Sequence, residues 1–180
     1  SVCVPWRDKT IAANVGPMEQ ADLNKCFASG ELTVLPEWVD YNGHMNVGYY
    51  VVAFDKATDV LLDHLALGSL YRHEHDASVF VLEAHVTYDR EVGPGDGLRF
   101  TTQILDHDAK RMHVLHRMYH AAEGYLAATN ELMMMHVDLL TRRPAPFPED
   151  ALDRIAAVRR EHDALPRPEA AGRVIGIRRF

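Results

Sequence analysis

The residues best suited to chemistry lie in one short run, Trp38-Val39-Asp40-Tyr41-Asn42-Gly43-His44-Met45-Asn46. Asp40 supplies a carboxylate that can attack an electrophilic carbon or take a proton from an attacking water. Asn42-Gly43 is a turn dipeptide, and Asn46 or Asn42 could cap the long periodic stretch that follows. The first N–H groups of a helix have no partner in its own ladder, and the positive end of its dipole points the same way. An acid carried to that position faces a place where a developing oxyanion can be held. The plainer reading is a capped strand-to-helix turn, because Asp, Asn and Gly are ordinary turn residues.

These residues need a strand before them and a helix after them. Residues 31–39 alternate and predict the first strand. From Met45 onward, Val47, Tyr50, Val51, Phe54, Ala57, Leu61 and Leu65 recur at three- and four-residue steps, which predicts a helix burying one stripe. Gly68 would close it, and Asp55, Lys56, Asp59 and Asp63 would face water. A polar loop, Arg72-His73-Glu74-His75-Asp76, then leads to predicted strands over 78–90, 98–105, 111–120 and 125–140. Turn residues separate them, and Pro144, Pro146 and Pro148 end the sheet. Residues 150–162 predict a short surface helix, and 173–180 a tail either loose or packed on a partner. Residues 1–28 read as an extension with a short helix over 17–27. The chain thus divides into an extension (1–28), a domain (29–143) and a C-terminal helix and tail (144–180).

Composition narrows the function classes. A formal net charge of −7 over 180 residues argues against general nucleic-acid binding, which needs a basic face. No apolar run reaches the ~20 residues of a membrane-spanning helix. Ser1–Lys9 lacks the basic start and apolar core of a secretory signal, and a cytoplasmic protein is expected. Cys3 and Cys26 cannot make a metal site alone. The eleven histidines include His113, His116 and His120 on one predicted strand, but His113 points away from the other two, so no metal is expected. No Gly-x-Ser-x-Gly elbow and no phosphate-binding glycine loop occurs. Lys110-Arg111 and Arg142-Arg143 are basic pairs able to hold phosphates, or simply solvated charges at loop ends.

The order of strand, Asp-x-x-Gly-His-x-Asn and Tyr-rich helix resembles the active-site segment of hotdog-fold acyl-CoA thioesterases of the 4-hydroxybenzoyl-CoA thioesterase type. The resemblance covers roughly residues 32–140. It implies an α+β hotdog fold, in which a curved antiparallel five-strand sheet wraps one long central helix. It also implies a homodimer or homotetramer that takes CoA as part of its substrate and uses no other cofactor. Asp40 stands at the family's catalytic aspartate, and the amide that polarises the thioester carbonyl falls on Val47. Asn46 would buttress the turn or bind the thioester end, His44 would chiefly shape the loop, and Lys110 and Arg111, or a neighbouring subunit's basic loop, would meet the CoA phosphates.

Residues 35–46 together with 106–111 are similar to the betainyl-CoA thioesterases of carnitine degradation, which implies hydrolysis of a small acyl-CoA whose acyl group bears a quaternary ammonium, the alternative being a plain short or aromatic acyl chain. Trp38, Tyr41, Tyr49, Tyr50 and Phe54 would cage that cation, unless Tyr50 and Phe54 simply pack in the core. Glu83, which alternation sets on one face with Val81 and His85 in a stretch reading as buried, would complete the cage by charge or else be a salt-bridged acid at the sheet face. The competing classes are a non-catalytic acyl-CoA-binding hotdog domain and a hotdog hydratase.

Overall fold

The computed structural model describes residues 20–177. A short α1 (Gln20–Leu23) leads into β1 (Phe27–Thr33) and a 3-10 turn (Pro36–Trp38). Then follow α2 (Val47–His64), α3 (Ser69–His75), β2 (Ala77–Tyr88), β3 (Gly97–His107), β4 (Arg111–His120), β5 (Leu126–Asp138), β6 (Arg143–Pro144) and α4 (Glu149–Glu161). The strands make one antiparallel sheet in the order β1-β3-β4-β5-β2, with β6 beside the end of β5. β1 and β2 are therefore its edges.

The sheet curls around α2. Near the helix start, Tyr50 and Phe54 pack against Leu98, Phe100, Met118 and Ala128, and Val34, Met45 and Val92 close that end. Towards its finish, Leu61 and Leu65 meet Ile104, Met112, Val114, Leu132 and Met134. Burying this apolar stripe holds the helix, which its own hydrogen bonds would not stabilise alone in water. Five long strands curled about one long helix form an α+β hotdog fold.

A polar chain crosses the middle of this core. The His116 ring lies 3.0 Å from the Thr58 hydroxyl and 2.6 Å from that of Thr102, and Thr102 lies 2.8 Å from Ser29 Oγ. The Thr58 hydroxyl donates to the Phe54 carbonyl at 3.1 Å. Burial pushes His116 down to about 3, so the ring is neutral, and the four side chains tie α2 to β1, β3 and β4.

Several elements depart from the sequence expectations. The first strand ends at Thr33, not 39, and the chain turns at Pro36, which has no N–H for a ladder. α2 ends at His64, while Gly68 starts α3, which occupies most of the predicted polar loop. Val47 and Val51, expected in the core, are exposed. The predicted surface helix is α4, and its Ala151, Ile155 and Val158 are buried in the core. The N-terminal helix covers only Gln20–Leu23 of the predicted span, whose first three residues, like Cys3, lie outside the described residues.

Candidate active site

From Trp38 to Asn46 the chain folds into a miniature hairpin. The Asn46 N–H donates to the Trp38 carbonyl (2.9 Å), and Val39 bridges Met45. The Asp40 N–H donates to the His44 carbonyl (3.0 Å), and the Gly43 N–H closes the turn on the Asp40 carbonyl (3.0 Å). Gly43 sits at φ 83°, a conformation glycine adopts without penalty. Side chains alternate across a paired segment, so Trp38, Asp40, His44 and Asn46 share one face, and Val39 and Met45 take the other. Met45 is buried in the core and its N–H donates to the Val92 carbonyl (2.8 Å), which anchors the hairpin.

The hairpin ends at the mouth of α2. Asn46 caps the helix, its Oδ1 accepting the Gly48 N–H (3.0 Å) and its carbonyl the Tyr49 N–H (2.9 Å). Val47 occupies the first helical position, where the N–H falls outside the helical ladder. The Tyr88 hydroxyl donates to the Val47 carbonyl at 3.3 Å, joining the end of β2 to the helix start. Asp40 Oδ1 accepts the Asn42 N–H (2.8 Å), which fixes the carboxylate's direction.

The loop after β2 contributes a group that sequence reasoning missed. His44 Nε2 lies 3.3 Å from Glu91 Oε1, and the Tyr125 hydroxyl donates to the Glu91 carbonyl at 2.9 Å. Arg90 covers the Tyr125 ring at 3.7 Å from its centroid. Glu91 is distant from the motif in sequence and sits in no recognisable pattern. Only folding brings it to His44.

Other expected site residues are dispersed. Trp38 and Tyr49 stack on each other (centroids 5.6 Å, interplanar angle 13°). Tyr50 is buried edge-on to Tyr88, Phe54 is buried against Phe100, and Tyr41 is 78% exposed. The five aromatics therefore do not form one cage within a protomer. Glu83 also departs from expectation. Residue pairing slips between Val81 and Glu83, and this bulge reverses the alternation. Val81 pairs with the buried Met134 on the helix side, whereas Glu83 pairs with Met133 on the outer face, where it is exposed. It is not a buried carboxylate.

Lys110 and Arg111 occupy the β3–β4 turn. There Asp108 accepts both backbone N–H groups (2.9 and 2.7 Å), while its other oxygen takes the Arg111 Nε–H (2.7 Å). The Arg111 guanidinium holds the Asp108 carboxyl down to about 2. The eleven residues of β3 span roughly 30–35 Å, and its Gly97 end is the one near the hairpin. The basic turn is thus at the opposite end of its own protomer from Asp40.

The histidines divide among separate tasks: His113 pairs with Glu131 (2.7 Å), His116 joins the core network, and His120 lies 3.5 Å from Asp96. Among the described residues, no group of three or more His, Cys, Asp or Glu could hold a metal ion. Among the same residues, no helix is long and apolar enough to cross a membrane.

A family model described as the thioesterase-like superfamily matches residues 34–155, from just past β1 into α4. The chain belongs to that superfamily. A betainyl-CoA thioesterase of Pseudomonas aeruginosa is 42% identical to this thioesterase over 155 residues, covering 86% of this chain and 98% of that protein. A Rhizobium meliloti L-carnitine dehydrogenase/betainyl-CoA thioesterase is 35% identical over 163 residues, covering 91% of this chain and 33% of the relative. This chain therefore spans about a third of that longer protein. A Staphylococcus aureus protein solved in complex with CoA superposes with a TM-score of 0.80 at 32% identity, covering 85% of this chain and 97% of that one. Sequence and structural relatives agree on a hotdog acyl-CoA thioesterase, a thioester hydrolase, over a hydratase or a non-catalytic binding domain.

Proposed function

We propose that this thioesterase hydrolyses betainyl-CoA to betaine and free CoA, with Asp40 as the reacting carboxylate. The observation that carries the reading is the shared hairpin face of Asp40 and Asn46, since Asn46 caps the helix that begins at Val47. Asp40 attacks the thioester carbonyl carbon, or removes a proton from a water that does. The carbonyl π pair moves onto oxygen, where the Val47 N–H and the helix dipole stabilise it. Collapse expels the CoA thiolate, and water supplies the hydroxyl of the acid. His44, oriented by Glu91, shapes the turn. No cofactor beyond the substrate's own CoA takes part. The reaction belongs to the cytoplasm, with neither nucleic acid nor membrane as a partner.

The cationic substrate is supported by the 42%-identical relative and by the Trp38–Tyr49 stack on the hairpin and first helical turn. Aromatic faces attract a trimethylammonium by about 0.5–2 kcal/mol each. The test compares kcat/KM for betainyl-CoA with that for 3,3-dimethylbutanoyl-CoA, its neutral isostere. A clear preference for the cation is expected. Equal values, or preference for the neutral ester, would remove the cationic substrate and leave the general thioesterase.

The working form in this reading is at least a homodimer paired through β2. That edge exposes Phe80, Val81 and Leu82, and an open apolar edge strand is a template for a second copy. Antiparallel pairing sets the Tyr88 end of one β2 beside the Ala77 end of the other. At the Ala77 end, β2 pairs with Asp138 of β5, and Met135 of β5 pairs with Arg111. The partner's Lys110 and Arg111 then stand only two strand spacings, about 10 Å, in from the edge next to Asp40. The CoA phosphates would meet that turn, not the one on the same chain.

A further inference from the structure

The chain after α4 crosses the outer face of the sheet in one direction. His162 Nδ1 accepts the Ile104 N–H (3.0 Å), and the Pro166 carbonyl accepts from Gln103 Nε2 (3.3 Å), both on β3. Further on, the Gly172 N–H donates to both carboxylate oxygens of Glu131 on β5 (3.0 and 2.8 Å). Arg173 then comes close enough to Asp89, just past β2, to act on its carboxyl. The path therefore runs from β3 over β5 to the end of β2, where the sheet stops. Beyond that point Val174, Ile175 and Ile177 are 85%, 86% and 88% exposed.

A segment secured to the sheet at each stage, and then led off its edge with three large aliphatic side chains in water, is built to lie on something else. In a dimer paired through β2, the surface it leads towards belongs to the second copy. Pairing through β2 places the partner's Ala77 end beside Asp89. On the outer side of that end, Phe80 and Met135 are cross-strand neighbours, and Phe80 is 42% exposed. We infer that residues 173–177 form an arm that packs on this outer surface of a second copy, with the partner's arm returning the same contact. A two-fold axis makes the exchange reciprocal, so each copy contributes one arm and one seat.

This inference rests on the proposed pairing through β2, and the experiment separates the two. Sedimentation velocity over a concentration series compares the full chain, the chain ending at Gly172, and a full-length Val174→Asp/Ile175→Asp/Ile177→Asp variant. The full chain should be dimeric, and both altered forms should dissociate with a Kd raised at least tenfold while their circular dichroism is unchanged. Hydrogen exchange should be slow at residues 173–177 in the dimer and fast after dilution to monomer. If the altered forms dimerise as tightly as the full chain, the arm is wrong and the β2 pairing stands. A full chain that stays monomeric at every concentration overturns both.

Discussion

Asp40 and His44 face each other across the hairpin, the N–H of the first donating to the carbonyl of the second at 3.0 Å. Their backbones hold each other while Glu91 takes the His44 ring, so the acid is positioned by the main chain and not by a side-chain partner.

Asp40→Asn keeps the size of the side chain and an acceptor for the Asn42 N–H, but removes the charge on which the proposed mechanism depends. Hydrolysis followed by thiol release should show kcat reduced at least about a thousandfold, with KM within a few-fold. A variant retaining most of the parent's turnover would eliminate Asp40 as the reacting group.

Asn46→Ala removes the acceptor for the Gly48 N–H at the start of α2. A loss of about 1 kcal/mol in denaturant unfolding is expected. Asn46→Asp, which caps as well, should restore most of it. An alanine variant as stable as the parent would mean that the cap is not what fixes the helix mouth.

The buried His116 sets an acid limit on stability. Its folded-state value is near 3 against an ordinary 6.5, so between those pH values the unfolded chain binds the extra proton. Stability is therefore highest above about pH 6.5 and falls as pH drops through that window, by at most about 1.4 kcal/mol per pH unit for one proton. Burial shifts His162 the same way. Urea titrations at pH 7, 6, 5 and 4 should show this decline. His116→Gln should be less stable at pH 7 but flatter with pH, and an unchanged slope would assign the acid sensitivity elsewhere.

Charging the open edge should separate the subunits. Val81→Lys/Leu82→Lys places cations where two β2 strands would meet, and light scattering should report a monomer. If the phosphates are held across the pair, kcat/KM falls with the dimer. A variant that stays dimeric would move the interface away from β2.

The helix and the meander were legible because their apolar periods differ, and α2 buries the predicted Tyr50, Phe54, Ala57 and Leu61. The motif itself was legible because its geometry is local: turn, cap and acid lie within seven residues. What escaped was non-local. The slip near Leu82 depends on how β2 meets β5, and it sends Glu83 to the face opposite the one alternation predicts. The aromatic cage failed for a related reason. Tyr50 and Phe54 fit both the core stripe and the cage in sequence, and packing claims them for the core. Glu91 could be found only once β2 had returned its end to the hairpin.

In the proposed mechanism the hairpin's alternation makes the reaction a matter of parity. Val39 and Asp40 differ by one position, and that position decides which face of the hairpin a side chain takes. Inserting or deleting a single residue between the Val39–Met45 bridge and the turn would drive a carboxylate towards the core and an aliphatic side chain outward. Exchanging a side chain in the loop alters the surroundings of Asp40, whereas changing the loop's length by one moves Asp40 off the face it shares with Asn46. New substrates can therefore be reached in this scaffold by substitution around a loop of fixed length, and the count from Trp38 to Asn46 is the quantity that must not drift.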